Sequence, residues 1–225
     1  MQALAAWFQW QEDRVEQKNT SIATLQIVGG RACLDFANTV AARRGRWGPD
    51  LLAAYDDLMG WAERIRLLDR FELAELRERS RQDPQAADAA LASAKMLREA
   101  IYQTFSALAA GSDPADSELD AIAQRAMQAR SRQRLAGDRR QGYGWSWALP
   151  AELGDIAGRV AADATTLLTD SSRLGRIKEC FGQNCGWLFL DVSRNGRRRW
   201  CSDADCGTPA RVTRFRARMR SAADR

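Results

Sequence analysis

The stretch that decides the fold of the C-terminal end is CFGQNCGWLFLDVSRNGRRRWCSDADC, residues 180–206. Its cysteines form two pairs with four residues inside each pair and 15 residues between the pairs. Such spacing is typical of a four-cysteine zinc site, because each pair occupies a turn and four thiolates complete a tetrahedron. We therefore expect one structural Zn²⁺ ion, without a catalytic role, held by Cys180, Cys185, Cys201 and Cys206.

The residues around the cysteines predict a hairpin and a helix. Segments 187–191 and 197–200 flank Asn195-Gly196, a dipeptide typical of type I′ hairpin turns. Thr208-Pro209 is a good helix start, and a helix follows over 211–222. A knuckle, a hairpin and a helix are the layout of a treble-clef-like zinc finger, which we assign to residues 173–225.

The predicted final helix has an apolar and a basic side. Val212, Phe215 and Met219 recur at helical spacing, and we expect them to pack on the hairpin. Arginines dominate the rest of the finger, so that residues 171–225 hold 13 Lys and Arg against 5 Asp and Glu. Such a concentration of positive charge favours a polyanionic partner, and nucleic acid is the usual one. The candidate contacts are Arg194, Arg197, Arg198, Arg199, Arg211, Arg214 and Arg218.

The rest of the chain predicts a mostly helical α+β domain with short β-hairpins over 23–172, after a flexible arm over 1–22. Segment 24–38 reads as strand, Gly29-Gly30 turn and strand, with Ala32, Leu34 and Phe36 on one face. Asp50 is expected to cap the next helix, and Pro150 to open a later one. Other helices are predicted over 72–81, 85–109 and 116–128.

Two features of this domain bear on ligands. Tyr143, Trp145 and Trp147 alternate along a predicted hairpin over 130–147, either as a ligand wall or, as we expect, as core packing. Four polar residues at the second predicted strand would either line a small-molecule pocket or satisfy backbone groups in a turn. The second role is the usual one for Asx and Thr residues. The four residues are Arg31, Asp35, Asn38 and Thr39.

At this point the residues resemble a known family. The segment from Cys180 to Gly207 is similar to the CGNR zinc finger, and segment 29–39, followed by a helix over 50–68, is similar to the ABATE domain that commonly precedes that finger. The resemblance implies a bacterial, stress-linked transcriptional regulator whose finger binds DNA. The family's Cys-Gly-Asn-Arg is replaced here by Cys206-Gly207-Thr208-Pro209.

Composition narrows the alternatives. The 225 residues contain no histidine, which removes the commonest general base and weighs against an enzyme. We expect a cytoplasmic protein without a membrane anchor, in which Cys33 is a buried thiol. Double-stranded DNA is the expected partner, and a homodimer and a small-molecule effector are further expectations. The alternatives are an acidic protein partner, or RNA stacked on Trp187 and Trp200.

Overall fold

The computed structural model describes residues 21–45 and 48–223, with side chains as far as Met219. Within them the chain forms, in order, helices α1 (Ala32–Ala37), α2 (Tyr55–Arg64), α3 (Arg70–Gln82), α4 (Pro84–Ala110) and α5 (Asp116–Arg130), strands β1 (Gln133–Asp138) and β2 (Gly142–Trp147), helices α6 (Asp155–Leu168) and α7 (Ser171–Leu174), strands β3 (Ile177–Glu179) and β4 (Leu188–Leu190), a π-helical turn (Asp203–Gly207) and helix α8 (Thr208–Ala223). This order confirms the predicted α+β class. None of these helices has the length and apolar composition to cross a bilayer. Of the arm predicted over 1–22, residues 1–20 lie outside the described range, and Ile22 is buried in the core.

The three helices predicted from periodicity are confirmed as α3, α4 and α5, and local capping explains where two of them begin. The Asp69 carboxylate accepts the N–H groups of Phe71 and Glu72 at the start of α3. Asp83 accepts the N–H of Ala86 at the start of α4, where Pro84 needs no hydrogen-bond acceptor. Helix α4 ends at Gly111, whose φ of 78° is favourable only for glycine. The longest helix is therefore defined at both ends by local sequence.

The prediction of a strand pair over 24–38 is wrong, because residues 32–37 form helix α1 instead. Five of the six side chains of α1 are buried, so the helix has no solvent-facing side. A short segment buried on all sides shows neither the period of a helix nor that of a strand. Its buried Asp35 accepts the N–H groups of Val28 and Gly29, at 2.9 and 2.7 Å, and anchors the preceding loop.

Two predicted helix starts are also wrong. Helix α2 begins at Tyr55 rather than after Asp50, because Asp57 accepts the N–H groups of Ala53 and Ala54. Asp50 instead forms a two-pronged ion pair with Arg98 of α4. Burial raises the pKa of Asp50, but the hydrogen bonds from Arg98 and the Leu52 N–H outweigh it and bring the pKa to about 2. Helix α6 begins at Asp155 rather than Pro150.

One hydrophobic core includes both the helical part and the first zinc-binding segment. Buried side chains of α1, α2 and α4, such as Phe36, Trp61 and Phe105, belong to the same cluster as Leu188 and Phe189 of β4. Strands β3 and β4 form an antiparallel pair that packs on α1 and α4. The β3–β4 part of the finger therefore packs directly against the helical domain.

The predicted pairing of 187–191 with 197–200 is wrong, because β4 pairs with β3 instead. The edge of β4 that does not pair with β3 is occupied by α1 and the loop before it. Asn38 of that region bonds both backbone groups of Leu188, and the Leu190 N–H donates to the Gly29 carbonyl at 2.8 Å. No backbone donor on that edge is left for residues 197–200. Asn195-Gly196 still forms a turn, with φ of 58° at Gly196.

Candidate zinc centre and nucleic-acid interface

The first cysteine pair lies in the loop that joins β3 to β4. Cys180 follows β3, and its N–H donates to the Trp187 carbonyl at 2.8 Å, which closes the loop. Inside the loop, the Gly182 N–H points at the Cys180 sulfur, 3.4 Å away. A Cβ atom at Gly182 would lie 2.9 Å from the Cys206 sulfur, closer than real Cβ contacts allow. Glycine is therefore required where the first pair approaches the second.

The second pair lies at the entrance to helix α8. The Cys201 N–H donates to the Cys180 sulfur at 3.3 Å. Ser202 begins the following turn, since its side chain accepts the Asp205 N–H and its carbonyl accepts the Cys206 N–H. The turn brings Cys206 back toward Cys201, with 3.7 Å between their sulfur atoms. Helix α8 thus begins directly beyond the last cysteine.

The four sulfur atoms form a cluster of the right size for one metal ion. All lie within 4.8 Å of one another, and the Cys185 and Cys201 sulfurs are 3.5 Å apart. A regular tetrahedron with Zn–S bonds of about 2.3 Å has edges of about 3.8 Å. Two backbone N–H groups donate to the Cys180 sulfur, as suits a thiolate. The donor set and spacing fit one structural Zn²⁺ ion with four protein ligands.

Hydrogen bonds within the cluster shift the pKa values of three of the thiols in opposite directions. Hydrogen bonds from Cys185 and Cys201 lower the pKa of Cys180. Donation of those hydrogen bonds to Cys180 raises the pKa of Cys185 and of Cys201. Zinc binding requires all four thiolates and so releases protons, which makes zinc affinity fall as the pH falls.

Contacts that no sequence pattern indicated attach the zinc loop to the helical domain. The Arg43 N–H donates to the Cys185 carbonyl at 2.7 Å, and its buried guanidinium bonds the Ala37 carbonyl and Glu99. The Trp187 indole N–H donates to the Val40 carbonyl at 2.8 Å. Because Trp187 is only 2% exposed, it cannot stack on RNA bases. The loop is therefore held on the helical domain by hydrogen bonds to backbone carbonyls, which composition does not predict.

The candidate arginines of residues 194–199 have two different roles. Arg194, Arg197 and Arg199 are exposed, whereas Arg198 is half-buried. The Arg198 guanidinium bonds the carbonyls of Trp200 and Cys201 and lies 4.3 Å from the centre of the Phe189 ring. Arg198 therefore braces the second cysteine pair. The other three arginines project from a loop that Asp191 organises by accepting the N–H groups of Ser193 and Arg198.

The arginines of α8 also divide by contact. Arg211 forms a two-pronged ion pair with Asp203, at 2.9 and 2.7 Å, and donates to the Thr208 hydroxyl. Hydrogen bonding to Asp203 raises the pKa of Arg211. Thr208, in the position where the family motif has Asn, thus helps to hold an arginine at the helix start. Arg214 and Arg218 are exposed on the helix surface.

The expectation that Val212, Phe215 and Met219 pack on a hairpin is wrong. Their side chains are 38%, 65% and 57% exposed. In the described part of the chain α8 makes its main contacts with the π-helical turn before it. The strand pair that would have covered this face is turned toward α1 and α4. Helix α8 therefore presents an apolar stripe and basic side chains to the solvent.

The four residues of the suggested ligand pocket bond protein groups. Arg31 pairs with Asp163 of α6 at 2.6 Å, and Asp35 bonds the loop before α1. Asn38 bonds Leu188, and Thr39 bonds the Phe36 carbonyl and Arg98. Two surface cavities of about 350 Å³ are lined by other residues. These contacts fit the alternative role of satisfying backbone groups, and the pocket stays an unsupported prediction. Cys33 is fully buried, and burial raises its pKa.

Two family models match the chain in the order that the resemblance implied. The ABATE family, described as "putative stress-induced transcription regulator", matches residues 30–171. The CGNR zinc finger matches residues 176–219, which include the four clustered cysteines. A search of curated proteins finds no match. Since the ABATE match alone covers more than half of the chain, the protein belongs to the ABATE family and ends in a CGNR zinc finger.

Proposed function

We propose that the protein is a cytoplasmic transcription regulator that binds double-stranded DNA through its zinc finger. The observation that carries this proposal is a set of exposed arginines, next to the cysteine cluster, that have no acidic partner within the described residues. The set consists of Arg194, Arg197, Arg199 and Arg214. Guanidinium groups displayed in this way bond phosphate oxygens in pairs and release counterions from DNA.

Zinc has a positioning role in this proposal. The ion joins the β3–β4 loop to the entrance of α8, so it fixes the helix relative to the loop that carries Arg194, Arg197 and Arg199. Arg198 and Arg211 are already bonded inside the finger, and they support this geometry without contacting DNA. Contacts of this kind to the phosphate backbone supply affinity but read no base sequence.

A second candidate function is the binding of an acidic protein. The exposed stripe of Val212, Phe215 and Met219 favours it, because apolar side chains with basic neighbours suit an acidic partner surface. The same stripe would serve the expected homodimer. A small-molecule effector and RNA binding lack a supporting observation.

The test compares two double variants of the zinc-loaded protein by fluorescence anisotropy on a labelled duplex. R197A/R214A removes two exposed finger arginines, and R79A/R81A removes the same charge from the last turn of α3. Each lost phosphate contact lowers the slope of log affinity against log salt by about 0.9. We expect the magnitude of this slope to fall by about 1.8 in R197A/R214A and to keep its wild-type value in R79A/R81A. Equal slopes in both variants would exclude the finger as the contact surface and favour the protein-binding function.

A further inference from the structure

The β1–β2 hairpin has features that neither the fold nor the zinc finger requires. Its strands pair in register from Gln133 opposite Trp147 to Asp138 opposite Gly142. Every residue of the hairpin is exposed except the half-buried pair at its base, Gln133 and Trp147. An isolated two-stranded hairpin is only marginally stable in water. A projecting ribbon of this kind is therefore anchored at its base and displayed along its length.

The base of the hairpin is fixed to the helical domain. Trp147 lies under the Arg159 guanidinium, 4.7 Å from it, and beside Gly158 of α6. Arg132, just before β1, bonds Asp155 at the start of α6 and the carbonyls of Ala148 and Pro150. These contacts hold both ends of the hairpin on α6, so the ribbon projects in a defined direction.

One face of the ribbon is aromatic. In an antiparallel pair, residues directly opposite each other share a face. Leu135 and Trp145 are such a pair, and Tyr143 lies next to them along the same face. Their side chains are 62%, 58% and 67% exposed, so the expectation that Tyr143 and Trp145 pack in the core is wrong. Three exposed apolar side chains on one face of a displayed ribbon indicate a contact surface.

The other face and the tip are narrow and basic. Arg134 shares its face with Ala136, Gly144 and Ser146, so the ribbon is thin there. Arg139 and Arg140 lie in the turn, where they have no acidic partner within the described residues. Asp138, the one acid of the hairpin, accepts the N–H groups of Arg140 and Gln141 and shapes the turn. The ribbon thus carries three outward arginines.

We propose that the β1–β2 hairpin is a second DNA-contacting element, which enters a groove of the duplex. This inference rests on the proposed DNA-binding function. The major groove is about 12 Å wide and admits a two-stranded ribbon. Six residues per strand reach about 20 Å, enough to cross the backbone into the groove. Arg139 and Arg140 contact phosphates, and Tyr143 and Trp145 contact sugar and base edges.

The experiment uses the full-length, zinc-loaded protein and the same labelled duplex. R139A/R140A removes two tip arginines and R79A/R81A again removes the same charge elsewhere. We expect R139A/R140A to lower the salt slope by about 1.8 and the affinity at 0.1 M salt by about 60-fold. W145A should weaken binding and keep the slope, because it removes an apolar contact and no charge. Arg139, Arg140 and Trp145 are exposed, so circular dichroism melting of the hairpin variants should match the wild type.

Three outcomes overturn the inference in distinguishable ways. If R139A/R140A keeps the wild-type slope while R197A/R214A loses part of it, the finger binds DNA and the hairpin does not. If hairpin variants lose affinity for a single-stranded oligonucleotide but not for the duplex, the partner is single-stranded nucleic acid. If the wild type binds no DNA at 50 mM salt, the proposed function fails, and the hairpin inference fails with it.

Discussion

The attachment of the zinc loop to the helical domain predicts that a substitution in α1's C-terminal cap will loosen the zinc site. Asn38 is fully buried, and its side chain donates to the Leu188 carbonyl and accepts the Leu188 N–H, both at 2.9 Å. The perturbation is Asn38→Ala, which leaves both backbone groups of a buried strand without partners. A buried group left without a hydrogen bond costs about 1–3 kcal/mol, so the loss of two is about 2–6 kcal/mol.

The expected consequence is faster zinc release under native conditions. Each 1.4 kcal/mol corresponds to a tenfold change in an equilibrium constant, so local opening of the zinc loop should increase by at least about 25-fold. Zinc release into a chromogenic chelator, followed by absorbance, measures this rate. Thermal unfolding at a fixed zinc concentration should also show a melting temperature lowered by about 4–24 °C.

The matched control is Leu76→Ala in α3. Leu76 is fully buried in the helical part, and its truncation should cost about 2–5 kcal/mol of stability. It lies on a helix without a main contact to β3 or β4 among the described residues. We expect L76A to melt early but to release zinc at the wild-type rate. Equal release rates for N38A and L76A would refute the argument that α1 holds the zinc loop.

Three further predictions concern single residues. Cys185→Ser and Cys201→Ser should each lower zinc content from one ion per chain to none, measured by atomic emission, because a structural site needs all four sulfurs. Arg198→Ala should speed zinc release, since it removes two carbonyl contacts and the Phe189 packing, and an unchanged rate would contradict its bracing role. Burial raises the pKa of Asp35 to about 6, so the folded state binds the extra proton and stability falls as pH rises toward 6 and beyond. Between pH 5 and 7 the wild type should lose about 1 kcal/mol relative to Asp35→Asn in urea titrations, and parallel profiles would refute the assignment.

Much of the fold follows from local sequence signals. The spacing of the cysteines predicts the cluster, because ligands on two turns converge whatever the rest of the chain does. Asp83-Pro84 and Gly111 define the ends of α4 through capping and a positive φ, both of which are local properties. The family resemblance added the regulatory class, which no residue pattern contains.

The errors share one physical cause, which is tertiary contact. Helix α1 is buried on all sides, so its sequence has no periodicity to read. Strand β4 pairs with β3 because Asn38 and Gly29 occupy its other edge, a contact between residues about 150 positions apart. Because β4 pairs with β3 and not with residues 197–200, no hairpin covers Val212, Phe215 and Met219, whose spacing had suggested a buried face.

The same cause separates the arginines, which look alike in the sequence. Arg198 packs on the Phe189 ring, and the buried guanidinium of Arg43 bonds the Ala37 carbonyl and Glu99. Arg197 and Arg199, one position away from Arg198, face the solvent. Exposure alternates along residues 197–200, and the packing of Arg198 against Phe189 decides which side faces inward. A count of charged residues does not predict which arginines are buried and which are exposed.

The measurement that tests the central claim most directly is the salt dependence of duplex binding by the zinc-loaded wild type. Contacts from Arg194, Arg197, Arg199 and Arg214 predict that log affinity falls with log salt with a slope of about −3.6 or steeper. Removal of zinc should lower the magnitude of that slope by about 3.6 and leave only the weaker hairpin contacts, because the ion positions the loop and α8. Absence of binding at 50 mM salt, or binding that is insensitive to both salt and zinc, would contradict the account.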